Sequence, residues 1–263
     1  MGWLNRKKSE TGTGESPRGE GRNIFRLSVA VVILLIIFCL TVMVLNYRFP
    51  RFFPVEGAAE KPGMIFTKTL AAIAGDMTSN WLPNDKVWPT ILLDNPQNFQ
   101  LGSLEGVRYN TRVLRDKLSR LRTTDKIDAD CEAAFTYFSN DPFKWILPSA
   151  ESKYKAGVES LKSYEKRLLT GEANFYQRAD NLNELLDQYV SLLGGVNTRL
   201  ANAPRRKQTV MSEETSGDQY TKGEKYVDVE IPWREIDDNF YYAQGVAYTL
   251  RQKIGRASCR ERV

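Results

Sequence analysis

"FYQRADNLNELLDQYVSLLGGVNTRL", Phe175 to Leu200, decides the fold class. Phe175, Ala179, Leu182, Leu186, Tyr189, Leu193, Val196 and Leu200 follow one another in alternating steps of 4 and 3. That spacing keeps returning to one helix face and makes a coiled-coil-like seam for a packed helical partner. Gly194 and Gly195 weaken the helix near its end or permit a close approach. Arg178, Asp180 and Asn181 fall beside the seam, where interhelical hydrogen bonds would fix its register.

The same periodicity recurs upstream. Phe66, Leu70, Ile73, Met77 and Trp81 share a face, as do Val107, Thr111, Leu114, Leu118 and Leu121. A third face carries Tyr154, Val158, Leu161 and Leu168, with Ser149 and Glu151 suited to its start after Pro148. Between the first two helices, "LPNDKVWPTILLDNPQNFQLG" reads as an irregular, Pro-punctuated loop packed over the bundle. Residues 202 to 225 read as a flexible polar connection, and "YVDVEIPW" as a short extended segment. A final amphipathic helix starts near Glu235. The expected class is all-α: a helical bundle behind a single transmembrane helix.

That transmembrane helix is "LSVAVVILLIIFCLTVMVL", Leu27 to Leu45, which carries no charge. At about 1.5 Å per residue it reaches roughly 28 Å, the thickness of a bilayer's hydrocarbon core. Its length and the lack of small residues close behind it favour an uncleaved signal anchor. Lys and Arg are denser before it than after it, which predicts a cytoplasmic N-terminus. Tyr47, Phe49, Phe52 and Phe53 suit the outer membrane interface. The expected organisation is a disordered cytoplasmic tail (1–26), the anchor (27–45), a juxtamembrane linker (46–61) and a periplasmic helical domain (62–253).

The last segment, Ile254 to Val263, can be back-translated residue for residue into DNA that resembles a widely used short-read sequencing adapter; the alternative is a genuine polar helix end. On the adapter reading the segment is expected not to be native, and the domain to be truncated at its C-terminus. The charge balance then changes meaning. The chain has 37 Lys+Arg against 32 Asp+Glu, net +5. The excess lies in residues 1 to 26 and in Arg256, Arg260 and Arg262, leaving 46 to 253 balanced. A high pI would raise nucleic acid as a partner, but a neutral body predicts none.

The chain has no histidine, so His triads, His bases and His metal ligands are excluded. Cys131 is the one cysteine left in the exported body and reads as a small buried apolar residue. No Walker-type phosphate loop is present. No catalytic residue, metal ligand or cofactor is assigned. In "RVLRDKLSR", Arg112, Arg115 and Arg120 flank Leu114 and Leu118, and Arg112 is spaced to pair with Asp116. Such a cluster is either a solvated face with local ion pairs or a site for an anionic group. Arg112, Arg115, Arg120, Glu151, Arg178, Asp180 and Asn181 are the candidate binding residues. Asp94, Glu151, Asp180, Asp237 and Asp238 keep open a glycan-cleaving carboxylate pair.

Leu93-Asp94-Asn95, "RVLRDKLSR", "WILPSAESKY", "FYQRADNL" and "IPWREIDDNFYYAQG" appear in that order. On these blocks the chain, over roughly residues 60 to 252, resembles an uncharacterised bacterial family of inner-membrane proteins, a domain of unknown function. The resemblance implies a bacterial envelope location and supplies no reaction. It also departs at the end, where the family continues past the adapter junction. The expected function is a noncatalytic envelope scaffold or interaction module, held in the bilayer by Leu27 to Leu45. Its partner would be an envelope protein or a second copy. A periplasmic glycan enzyme and a ligand-sensing bundle are the alternatives.

Overall fold

The computed structural model describes residues 18–47, 49–53, 61–85, 89–122, 124–203, 207–212, 223–228 and 236–260. The chain divides into two units, Met1–Leu45 and Asn46–Val263. In the first, helix α1 (Arg18–Asn46) contains a stretch, Asn23–Asn46, long and apolar enough to cross a membrane. It begins inside the segment read as a tail, because extending a formed helix fixes one residue per added hydrogen bond. Residues 1–17 of that tail lie outside the described residues.

The second unit is an all-α bundle with one small hairpin. Its helices are α2 (Met64–Ser79), α3 (Asp94–Val113), α4 (Ala129–Phe138), α5 (Ala150–Thr170), α6 (Ala179–Asn202) and α7 (Ile236–Arg260). Strands β1 (Lys207–Ser212) and β2 (Gly223–Asp228) pair antiparallel, with Thr209 opposite Tyr226. Part of the expected flexible connection is therefore a two-stranded ladder. Tyr226 to Asp228 of the expected extended segment lie in β2, and 229–235 fall outside the described residues.

α2 and α4 pack on α5, and their buried residues form the main core around Leu70, Ile73, Phe138, Tyr154, Leu161 and Tyr164. Ser149 caps α5, its hydroxyl accepting from the Ser152 amide at 3.3 Å. Asp128 caps α4 and also pairs with Arg167 of α5 at 2.7 Å. The same guanidinium holds Asp130 at 2.6 Å. Asp128 foremost, joined by Asp130 and opposed by burial, keeps Arg167 above its ordinary pKa. Cys131, next in the chain, is buried, and burial pushes its thiol well up. It is the apolar filler the sequence implied.

α3 starts at Asp94, inside the stretch read as loop. Asp94 sits in its first turn with Pro96 close behind, and both favour a helix start. α3 and α7 meet backbone to backbone. A Cβ on Gly102 would collide with the Tyr242 carbonyl, and one on Gly245 with the Phe99 carbonyl. Ser103 Oγ donates to the Gly245 carbonyl, and Thr249 Oγ1 to the Ser103 carbonyl, both at 3.3 Å. Phe49 stacks on Tyr241 and meets Phe99 edge-on, while Phe52 lies against Tyr248. Phe49 thereby packs on both α3 and α7, while Phe52 keeps an exposed face beside α7.

At the far end of α7, Lys253 is buried with its Nζ donating to the Phe66 carbonyl at 2.9 Å and lying over the Phe66 ring. Burial drives its pKa well below the ordinary 10.5. The unfolded chain therefore holds this proton where the folded chain does not, so the contribution to stability rises with pH until the solution passes about 10.5. Lys253→Met should melt above the native chain at neutral pH, and the gap should shrink toward pH 10. A gap independent of pH would exclude a neutral, buried amine.

Candidate functional site

α4 and α5 are joined by a loop whose base is fixed and whose tip is apolar. Four alternate carbonyls of the base each receive a side-chain donor. Arg108 Nε donates to the Phe138 carbonyl at 2.8 Å. Arg108 Nη2 and the Tyr154 hydroxyl donate to that of Asn140 at 2.8 and 3.0 Å. Trp81 Nε1 donates to that of Pro142 at 3.0 Å, and Asn84 Nδ2 to that of Lys144 at 3.1 Å. Trp81, Asn84 and Tyr154 are themselves buried, and Trp81 packs edge-on against Tyr154 at 5.0 Å.

Beyond this base, Phe143, Trp145, Ile146 and Leu147 face solvent, Leu147 being 89% exposed. Leu147 also has φ 55, a left-handed conformation that disfavours side chains by about 1–2 kcal/mol. Apolar groups displayed by a rigid framework suit a docking partner. Sequence reasoning did not single out this loop: four of the five residues from Phe143 to Leu147 are apolar, and nothing local distinguishes an exposed apolar run from a buried one.

Glu151 belongs to the same framework. Its Oε2 accepts from Asn84 Nδ2 at 3.0 Å. Nearby Asp85 is pushed upward chiefly by burial, with a Thr90 hydrogen bond opposing and the Glu151 charge adding to the rise. Glu151 thus positions the amide that holds the loop.

Arg112, Arg115 and Arg120 gather elsewhere, where α3 ends in a π turn (Leu114–Leu118). Such widened turns accompany functional sites often. Arg115 grips Asp116 through Nε and Nη2 at 2.7 and 3.0 Å, lies 3.6 Å from Glu132 and covers the Phe135 ring. Asp116 is its main partner and keeps its pKa raised. Arg120 Nε donates to the Asp116 carbonyl. The expected Arg112–Asp116 pair is replaced by these contacts, because the wide turn shifts Asp116 out of the α-helical alignment that a four-residue spacing assumes. Arg112 instead lies over Tyr109 and Phe135.

Asn181 joins this place from α6. Its Nδ2 donates to the carbonyls of Lys117 and Tyr176 at 3.2 and 2.9 Å. The Tyr176 amide donates to the Leu118 carbonyl at 2.8 Å. The π turn is thereby stitched to the α5–α6 connection. Arg178 and Asp180 form an exposed pair with each other at 3.1 Å. Among the described residues, no group of three or more His, Cys, Asp or Glu is placed to hold a metal ion.

A family model described as an uncharacterized protein conserved in bacteria (DUF2333) matches residues 20–258. No curated protein and no solved structure matches the chain.

Proposed function

The chain belongs to this uncharacterised bacterial family, and from that premise we propose that it is a noncatalytic docking module of the bacterial envelope. In this reading α1 anchors the chain in the inner membrane, the N-terminus lies in the cytoplasm and the helical body faces the periplasm. The body presents the Phe143–Leu147 loop to a protein with an apolar pocket. The loop carries this reading: its base is pinned by Arg108, Trp81, Asn84 and Tyr154, while its tip offers Trp145 and Leu147 to solvent. Large apolar anchors on a preorganised support lose little entropy on binding. The guanidinium groups at the π turn favour the same class of role. Arg115 already has its carboxylate, which leaves it little capacity for a free anion.

The test treats spheroplasts holding the full-length chain with a membrane-impermeant lysine crosslinker. The body should be modified, and a discrete adduct with an envelope protein should form. Trp145→Ser with Leu147→Ser should remove that adduct and leave the melting temperature within about 1 °C, since both side chains are exposed. A body untouched by the reagent would reverse the topology. An adduct that survives the double variant would remove the loop from the interface.

A further inference from the structure

α6 has two apolar seams rather than one. Tyr189, Leu192 and Val196 turn inward, buried with Val246 and Leu250 of α7, and Leu185 packs beside them. The second seam lies about a quarter turn away. Asn183, Leu186, Val190, Leu193, Asn197 and Leu200 step by 3, 4, 3, 4 and 3, and all are exposed. Val190 is 69% exposed in the middle of this seam.

Written as heptads, Asn183, Val190 and Asn197 take position a, and Leu186, Leu193 and Leu200 take position d. In a parallel pair, a β-branched residue at a over leucine at d favours two strands, and asparagine at a specifies register and strand number at a cost in stability. The flanking positions agree. Position e on the open side holds Asp187, Gly194 and Ala201. A Cβ on Gly194 would meet nothing within 4 Å, so this side of the seam is open. In a parallel pair, g of one copy meets e of the other. Of the g positions, Tyr189 and Val196 are already buried against α7, and the exposed Leu182 would meet Asp187, with no carboxylate facing a carboxylate.

We propose that a second copy of this chain covers this face, α6 against α6, parallel and in register. Each asparagine then meets its own counterpart, and two amides satisfy one another across the axis. Antiparallel pairing of the same seam sets Asn183 against Leu200 and Asn197 against Leu186, leaving buried amides without partners, which is unfavourable. The seam is short, about 27 Å at 1.5 Å per residue. It therefore rests in part on the proposed anchoring through α1, which would hold copies at high effective concentration.

The experiment uses the full-length chain in membranes with Cys39, Cys131 and Cys259 replaced by alanine. Val190→Cys should be drawn by mild oxidation into a disulfide-linked dimer of twice the chain mass. Ser191→Cys, one position round the helix, should link at least tenfold less. Adding Leu193→Glu to Val190→Cys should also cut the dimer at least tenfold by setting carboxylates across the axis. The exposed Leu193 leaves helicity and melting temperature unchanged, so a lost fold is told apart from a lost dimer. The proposal is overturned if Val190→Cys stays monomeric. It is likewise overturned if Val190→Cys links only to Leu193→Cys of a second chain, as antiparallel pairing requires, or only to a protein of another mass. Pelleting with the membrane fraction is read separately: membranes without a dimer sink this pairing and leave the anchor standing.

Discussion

Gly245→Ala is expected to lower the melting temperature of the full-length chain in detergent by on the order of 10 °C. The added methyl would run into the Phe99 carbonyl and come within 2.8 Å of the Ser103 amide. Both are backbone atoms inside a helix, so neither can step aside without moving α3. Overpacking costs about 1–3 kcal/mol and occasionally more, a collision with backbone lies at the upper end, and each kcal/mol moves a domain of this size by about 2–4 °C. Gly102→Ala should behave alike, because its methyl meets the Tyr242 carbonyl from the opposite side. The same substitution at Gly195 supplies the contrast. Nothing lies within 4 Å of a Cβ there. An exposed helical glycine replaced by alanine gains about 0.5–1 kcal/mol. Thermal melts followed by far-ultraviolet circular dichroism would read all three. A Gly245→Ala chain that melts with the native one would mean the two helices do not touch at their backbones.

The second large effect belongs to Arg167→Met, expected to cost about 2 kcal/mol. Its loss leaves Asp128 and Asp130 at one helix start without a cation, and Asp128 retains only 14% of its side-chain exposure. Removing one member of a buried ion pair costs about 3–5 kcal/mol; the 29% exposure of Arg167 reduces that through solvent screening. Arg178→Ala is the matched control. Arg178 and Asp180 are 51% and 78% exposed, so their pair contributes at most about 0.5 kcal/mol. Denaturant midpoints of the two variants should differ clearly. Equal midpoints would show that the Arg167 pair is no more than a surface contact.

Arg167 and Arg178 also mark how far the sequence could be read. Both are arginines near helix ends with acidic residues within reach. Arg178 stands out because Asp180 is two positions away, whereas Asp128 and Asp130 lie 39 and 37 residues before Arg167. Local signals were legible: Ser149 as a cap, the apolar face of α5, the uncharged run of α1. The seam in α6 was half legible. Its spacing was right, yet Tyr189 and Val196 are buried while Leu182, Leu186, Leu193 and Leu200 are exposed. Periodicity gives a stripe but not its outer edge, which depends on where α3 and α7 lie. The Phe143–Leu147 loop and the π turn were illegible for a related reason. Both are defined by where distant donors land on backbone carbonyls, and carbonyls carry no letter in a sequence.

The glycine contact between α3 and α7 also sets an order in time. Its hydrogen bonds join residues 142 and 146 positions apart, whereas α4 and α5 are neighbours in the chain. Closing so long a loop has an entropic cost that must be met before the contact returns anything. While the chain is being made, α4 and α5 can already assemble with α2. α3 must wait, its bare glycine face open, until α7 has left the ribosome. The bundle is thus latched by the meeting of an early helix with a late one, and a chain stalled before α7 would keep an unclosed groove on α3.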